Sequence, residues 1–290
     1  MNKHDKTVPH TVKLTDLITP KSCSIYIAEL IKYIIFTKQQ IPYPYERLKM
    51  YVMKRRERQK LIELQNNIRE SDGSERVSFF MEKHYKKVEE AFEILDSTFK
   101  CIEYELTKSS EHPLEEVVLL FGATPLSPKD VYRFKIPSLS YGHSESQHLY
   151  KRQIGNLFRG IIISDEVNAS LQRNIGLTNM FVMVKLRKGG SADTQWLLPQ
   201  DCYRPSQRAQ QVCFTLESTG AHSCTCNCAQ PDLLGVLSDG MAALSVSGGD
   251  SESDDQCVWY QMQRTLKGFR DSKSQGKSVT DLWYKHSFLS

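Results

Sequence analysis

The chain has 290 residues, and its 38 Lys and Arg against 34 Asp and Glu leave a net charge of +4 at neutral pH. So small a difference between large numbers excludes a global field that would demand nucleic acid. A 40% hydrophobic share with 10% aromatics is enough for a real core, while no run approaches the roughly 18 apolar residues needed to cross a bilayer. The opening MNKHDKTVPH lacks the apolar stretch of a secretion signal, so the chain is expected in cytosol or nucleus. There its eight cysteines are expected as free thiols and the Asn168-Ala-Ser170 sequon as unmodified.

Residues 1–21 are polar and aperiodic and contain Pro9 and Pro20, which predicts a flexible arm with order beginning near Ser22. From Ser24 to Lys38 the apolar residues Ile25, Ile27, Ala28, Leu30, Ile31, Ile34, Ile35 and Phe36 occupy most of a helical circumference. That predicts a helix at the centre of a domain, with Ser24 available as N-cap. Pro42 and Pro44 must end it, and Pro44 suits the first turn of a second helix running from Tyr45 toward Arg69. Within that helix Lys54–Lys60 is a basic run, read as a solvated face with contact to nucleic acid or an acidic partner as the alternative. A third helix is predicted over Glu75 to Leu106, where Val88, Phe92, Leu95, Phe99 and Ile102 recur at three- and four-residue steps as a core stripe.

The pattern then shifts. Val117 to Phe121 and Val131 to Phe134 read as strands around the turn signals at Gly122 and Ser127-Pro128, and helical spacing returns from Ser144 to Val167. Met180 to Leu186, Trp196 to Leu198 and Val212 to Leu216 read as three further strands. Residues 217–256 are small and polar apart from Leu233–Leu237, which predicts a long disordered insertion. Val258 to Met262 restores a strand, and residues 272–290 read as a tail. The expected architecture is a single α+β domain over 22–271, with three main helices packed on an antiparallel sheet.

Chemistry is sparse. His222, Cys224, Cys226 and Cys228 are the one candidate metal cluster, but their alternate spacing departs from the two to four residues that separate paired ligands in structural zinc sites, so no metal or other cofactor is expected. Neither Gly122 nor Gly189-Gly190 precedes the Gly-Lys-Ser/Thr of a phosphate loop. No assembled nucleophile and base appears, so an enzyme is not expected.

Four blocks, IAELIKYIIFTKQQIPYPYERLK, VLLFGATPLSPKDVY, LFRGIIISDE and VWYQMQRTLKGFRD, occur in this order, and together they resemble the comet family of Mad-two-binding proteins. The resemblance implies a HORMA-like fold with a C-terminal segment folded back as in closed Mad-two. It further implies an adaptor that binds closed Mad-two and presents it to a hexameric AAA+ remodelling ATPase, so that the mitotic checkpoint complex comes apart and the checkpoint is silenced. Such a protein would be found in nucleus and cytoplasm, associated with spindle or kinetochore in mitosis, with no nucleic acid or membrane as partner. Carried over by position, the anchor for Mad-two is Phe158, flanked by Ile154 and Leu157, whereas the residues alone place Phe158 in the core stripe with Ile161. Thr37 stands where the family has a glutamine. The ATPase contact falls on Pro199 and Gln200, where the family's Pro-Lys pair has lost its charge and Arg204 is a nearby substitute. A peptide-clasping HORMA protein of another pathway and a nucleic-acid module using Lys54–Lys60 are the alternatives. Ser251 and Ser253, among acidic neighbours, are candidate phosphorylation sites.

Overall fold

The computed structural model describes residues 7–15, 17–65, 75–108, 114–141, 147–188, 193, 195–201, 203–206, 208–218, 257–274 and 276–280. The candidate cluster at 222–228, the serines at 251 and 253, and residues 281–290 of the expected tail lie outside these residues.

Thr7–Leu14 forms a strand, β1, inside the stretch expected to be a flexible arm. Its polar composition hid it, because the inward row Val8, His10, Val12 and Leu14 buries only Val12 and Leu14 fully, while backbone pairing to a later strand supplies the rest. The first helix, α1 (Pro20–Thr37), begins earlier than expected. Its N-cap is Thr19 and not Ser24: Thr19 Oγ1 accepts from the Ser22 N–H at 3.2 Å while the Thr19 N–H donates to Ser22 Oγ at 2.9 Å. This reciprocal box, with Pro20 at the first position, satisfies the donors that a helix start leaves open. Cys23, Ile27, Leu30, Ile31, Ile34 and Ile35 are fully buried, so α1 is the axle of the core.

α1 ends in a Schellman motif built on a non-glycine residue. Gln39 takes φ 55°, its N–H bonds Phe36 O at 2.9 Å, and the Gln40 N–H bonds Ile35 O at 3.1 Å. The corner then enters α2 (Tyr45–Gln65), where the Pro44 carbonyl accepts from the Leu48 N–H at 3.1 Å, and α3 (Glu75–Lys108) follows. The basic run on α2 is not simply solvated: Arg55 pairs with Glu82, and Arg56 with Glu89 and Glu93 at 2.8 Å each, so α3 neutralises both arginines.

The main sheet is assembled from β1, β2 (Leu114–Gly122), β3 (Pro128–Lys135), β4 (Asn179–Arg187), β5 (Leu197–Pro199), β6 (Gln210–Ser218), β7 (Cys257–Met262) and β8 (Leu266–Lys267). Its order is β1-β6-β3-β2-β4-β7-β5, with β8 continuing beside β4. It is mixed and not antiparallel throughout, because β6 runs parallel to both β1 and β3. Helices α4 (Gln147–Ile163) and α5 (Asp165–Gln172) stand between β3 and β4 in the chain, making five helices among the described residues. Glu217 and Ser218, placed by the sequence in an insertion, close β6 against Lys13 and Leu14.

Alternation buries both sheet faces. Val117, Leu119 and Phe121 of β2, with Val182, Val184 and Leu186 of β4, meet the helices. Val118, Leu120, Phe181 and Met183 point the other way and pack with Tyr203, Ala209 and Trp259. That second cluster is covered by Tyr203 and Ala209, from the stretch that carries the chain from β5 at one edge to β6 near the other. Five strand spacings amount to roughly 24 Å, within the roughly 33 Å that ten extended residues can reach. The crossing belt encloses β7, which is paired to β4 and β5 on its two sides, with the Gln200 N–H on Trp259 O at 2.8 Å and Tyr203 edge-on to Trp259 at 5.2 Å.

Beyond β7 the chain docks on the α1–α2 corner. Gln40 is buried and donates from Nε2 to Lys38 O and Gly176 O at 2.9 and 2.8 Å, accepts from the Thr178 N–H at 2.9 Å, and offers its backbone O to the Phe269 N–H at 2.9 Å. A Cβ on Gly268 would meet Gln40 Oε1 at 2.4 Å and Thr178 O at 3.0 Å. Within the stretch expected as tail, β9 (Lys273–Ser274) pairs antiparallel with β10 (Lys277–Ser278), and Thr280 returns to α3. The physical reason is a buried polar cluster: His84 Nε2 lies 3.0 Å from Asp271 Oδ1 and 2.9 Å from Thr280 Oγ1, while Tyr43 donates to Asp271 Oδ2 at 2.9 Å. A neutral ring protonated on Nε2, with the Ser272 hydroxyl donating to Nδ1, satisfies every member.

Replacing Gly268 by Ala is expected to cost about 2 kcal/mol or more, since the pinned Gln40 amide cannot yield without breaking its bonds; a urea-denaturation midpoint measures it. Burial holds His84 below its ordinary 6.5, in spite of the Asp271 charge. Burial raises Asp271, but the hydroxyls of Ser278, Thr280 and Tyr43 together with His84 more than offset it and leave the carboxyl below its ordinary range. Both groups bind a proton more weakly in the folded chain than in the unfolded one. The His84 contribution is therefore whole above about pH 6.5 and lost as pH falls toward the folded value, and that of Asp271 follows at lower pH. The thermal midpoint should fall between pH 7 and pH 5, and His84→Gln should flatten that fall, with His10, also lowered by burial, supplying the remainder.

Candidate functional site

The run Ile161-Ile162-Ile163 at the end of α4 cannot point one way, because successive helix residues turn by about 100°. Ile161 is fully buried, so Ile162 and Ile163 face outward, 64% and 73% exposed. On α1 the corresponding exception is Phe36, at 41%. The two helices meet where Tyr33 lies edge-on to Phe158, with ring centroids 5.2 Å apart. Ile154 and Phe158 are half-buried against the core, two turns and one turn before Ile162 on the same stripe. Together Tyr33, Phe36, Ile154, Phe158, Ile162 and Ile163 form an apolar face on α1 and α4.

Of the residues expected to bind a partner, Phe158 and Ile154 lie on this face and half-buried Thr37 stands one helical turn beyond Tyr33. Leu157 does not belong: it is fully buried with Ile161 on the neighbouring row of α4, about 100° round the helix. The shared stripe misled the sequence reading, since the apolar face of α4 is wide enough to serve core and surface at once. Pro199 and Gln200 are remote from the α1–α4 face. Pro199 is exposed at the end of β5, opposite Tyr260 of β7, and Gln200 opens the belt. Arg204, the suggested substitute charge, is exposed on that belt.

The charge on α4 itself is one-sided, whereas the exposed Asp165 and Glu166 open α5 just beyond Ile163. Residues 147–163 include no Asp or Glu, and Lys151, Arg152 and Arg159 are exposed around the apolar stripe. At the junction of α1 with α5, Lys38 is completely buried and sits 2.6 Å from Asp130 Oδ2. Burial, and the neighbouring Arg173 guanidinium, pull its pKa down to about 8, which leaves it an ammonium at neutral pH. This buried group escaped the sequence reading, where Lys38 marks only the end of a helix. Thr15 Oγ1 accepts from Gln153 Nε2 at 2.5 Å and ties α4 to the end of β1.

No group of three or more His, Cys, Asp or Glu suited to a metal occurs among the described residues. The molecule is an α+β domain that seats its own late strand β7 between β4 and β5 and turns outward an apolar helix face bordered by the cations of α4, features that suit a protein that binds another. A family model described as p31comet, "Mad1 and Cdc20-bound-Mad2 binding", matches residues 3–235, and the chain belongs to this p31comet family. It is similar to the "MAD2L1-binding protein" of Mus musculus, 22% identical over 257 residues that cover 88% of this chain and 76% of the relative. The "MAD2L1-binding protein" of Homo sapiens is 24% identical over 255 residues, covering 88% and 77%.

The two exposed isoleucines and the half-buried phenylalanine should separate in stability measurements. Ile162→Ser and Ile163→Ser are expected to change unfolding free energy by less than about 0.5 kcal/mol, whereas Phe158→Ala should cost about 2 kcal/mol through lost packing on Tyr33. Chemical denaturation of the three variants checks this.

Proposed function

We propose that this chain is a non-enzymatic adaptor with a HORMA-like fold that binds closed Mad2 through the α1–α4 face. Membership of the p31comet family supports the partner, and the apolar face carries the site. A hydrophobic centre with cations along α4 suits a surface of apolar residues with carboxylates opposite that helix, the charges governing approach more than final affinity. The reading extends to presenting Mad2 to a hexameric AAA+ remodelling ATPase, so that the mitotic checkpoint complex is taken apart and the checkpoint silenced, in nucleus and cytoplasm. Pro199 and Gln200 support a separate ATPase contact, since they lie at the sheet edge and leave the helical face free.

The peptide-clasping alternative is disfavoured because the slot between β4 and β5 holds the chain's own β7. The nucleic-acid alternative loses Arg55 and Arg56 to α3 carboxylates.

Ile162→Asp places a charge at the centre of the face without disturbing the core. It is expected to weaken binding to conformationally locked closed Mad2 at least 100-fold in isothermal titration, while open Mad2 binds neither protein. Equal affinity of the variant and wild type would discard this face as the site.

A further inference from the structure

Lys38 is the first residue after α1, and a lysine with no exposed side-chain surface needs a structural reason. Its ammonium donates to Ser170 O at 2.5 Å and Arg173 O at 3.0 Å, and it forms an ion pair with Asp130 Oδ2 at 2.6 Å. Ser170 lies in the last turn of α5 and Arg173 is its C-cap, where carbonyls lack partners within the helix and the dipole is negative. Lys38 therefore caps α5 from a different helix. Arg173 in turn pairs with Asp130 Oδ1 and donates to Lys129 O at 2.8 Å, so the end of α1, the end of α5 and the start of β3 meet at one node. Two apolar side chains of similar volume would fill this space without desolvating a charge, but they would leave the α5 carbonyls unbound.

We propose that Lys38, with Asp130 and Arg173, is the positioning node of the docking face, an inference that rests on the adaptor reading above. The link is short: α5 joins α4 through Ser164 alone, and Lys38 follows Thr37 directly. Fixing Lys38 on α5 sets the advance of α1 against α4, which keeps Phe36 and Thr37 level with Phe158 and Ile162. Gln40 reinforces this setting, because its amide bonds both the Lys38 carbonyl and Gly176 beyond α5. None of the three charged residues needs to touch the partner.

The test is the full chain carrying Lys38→Met with Asp130→Asn, which removes both buried charges together. We expect a thermal midpoint within a few degrees of wild type, amide exchange at least tenfold faster over 34–40 and 158–173, and about tenfold weaker binding to closed Mad2. Unchanged exchange and affinity in the folded double variant would overturn the proposal, as would a loss of affinity that merely tracks a lowered midpoint. If the double variant does not fold, Arg173→Gln, at a half-exposed site, should speed exchange over 170–174 and weaken binding about threefold, and no change in either would overturn the node. Failure of wild type itself to bind closed Mad2 would remove the adaptor reading, and the exchange rates would then decide the node alone.

Discussion

The architecture depends on the seating of Cys257–Met262 between β4 and β5. That strand completes the hydrogen bonding of β4 along Met183–Arg187, and its Trp259 fills the second hydrophobic cluster from beneath the belt. The belt has a reason to cross the sheet because an apolar face is there to be covered. Its far end then becomes β6, and β6 is the template on which β1 adds as a parallel edge. Pairing, burial and chain path therefore reinforce one another, as expected of a strand whose backbone groups must all find partners once enclosed.

Enclosure has a consequence for recognition. With the slot beside β4 filled from within the chain, strand addition at that place is closed, and what the domain turns outward is a helix face. α1 is buried around most of its circumference and exposes Phe36 near its end. α4 lies against β1 with one row of apolar residues in the core and another in solvent. The Tyr33–Phe158 contact joins the two helices at the border between core and surface, where half-buried side chains are held rigid by packing yet keep an exposed edge. Such pre-ordered apolar surface loses little freedom when covered, which favours its use as a binding face.

Two corners hold that face in place. At the first, Gln39 in the left-handed region and the buried Gln40 amide receive the returning segment Gly268-Phe269. At the second, a buried ammonium gathers carbonyls from α5. The sequence blocks QQIPYPYERLK and LKGFRD, far apart in the chain, are therefore two sides of one contact, with Tyr43 reaching Asp271 and Gln40 reaching Gly268-Phe269. Both corners consist of polar groups with definite geometry, which select one arrangement of helices where apolar packing alone tolerates several.

Periodicity alone determined much: the position of α1 as a central helix, the stripe of α3, the paired strands around Gly122-Ala-Thr-Pro, and the strand at Val258–Met262. These elements bury side chains at intervals of 3.6 or 2, so the pattern is written locally. The ordered blocks of the sequence also carried the family. β1 was not legible, because its stability comes from backbone bonds to β6, which lies about 200 residues later. Nor was the split of the α4 stripe, in which Leu157 turns inward while Ile162 turns outward. Nor was the burial of Lys38, since a charged residue at a helix end ordinarily reaches solvent. In each of these the deciding partner comes from a distant part of the chain, and only the tertiary structure brings it within the few ångströms over which hydrogen bonds and packing act.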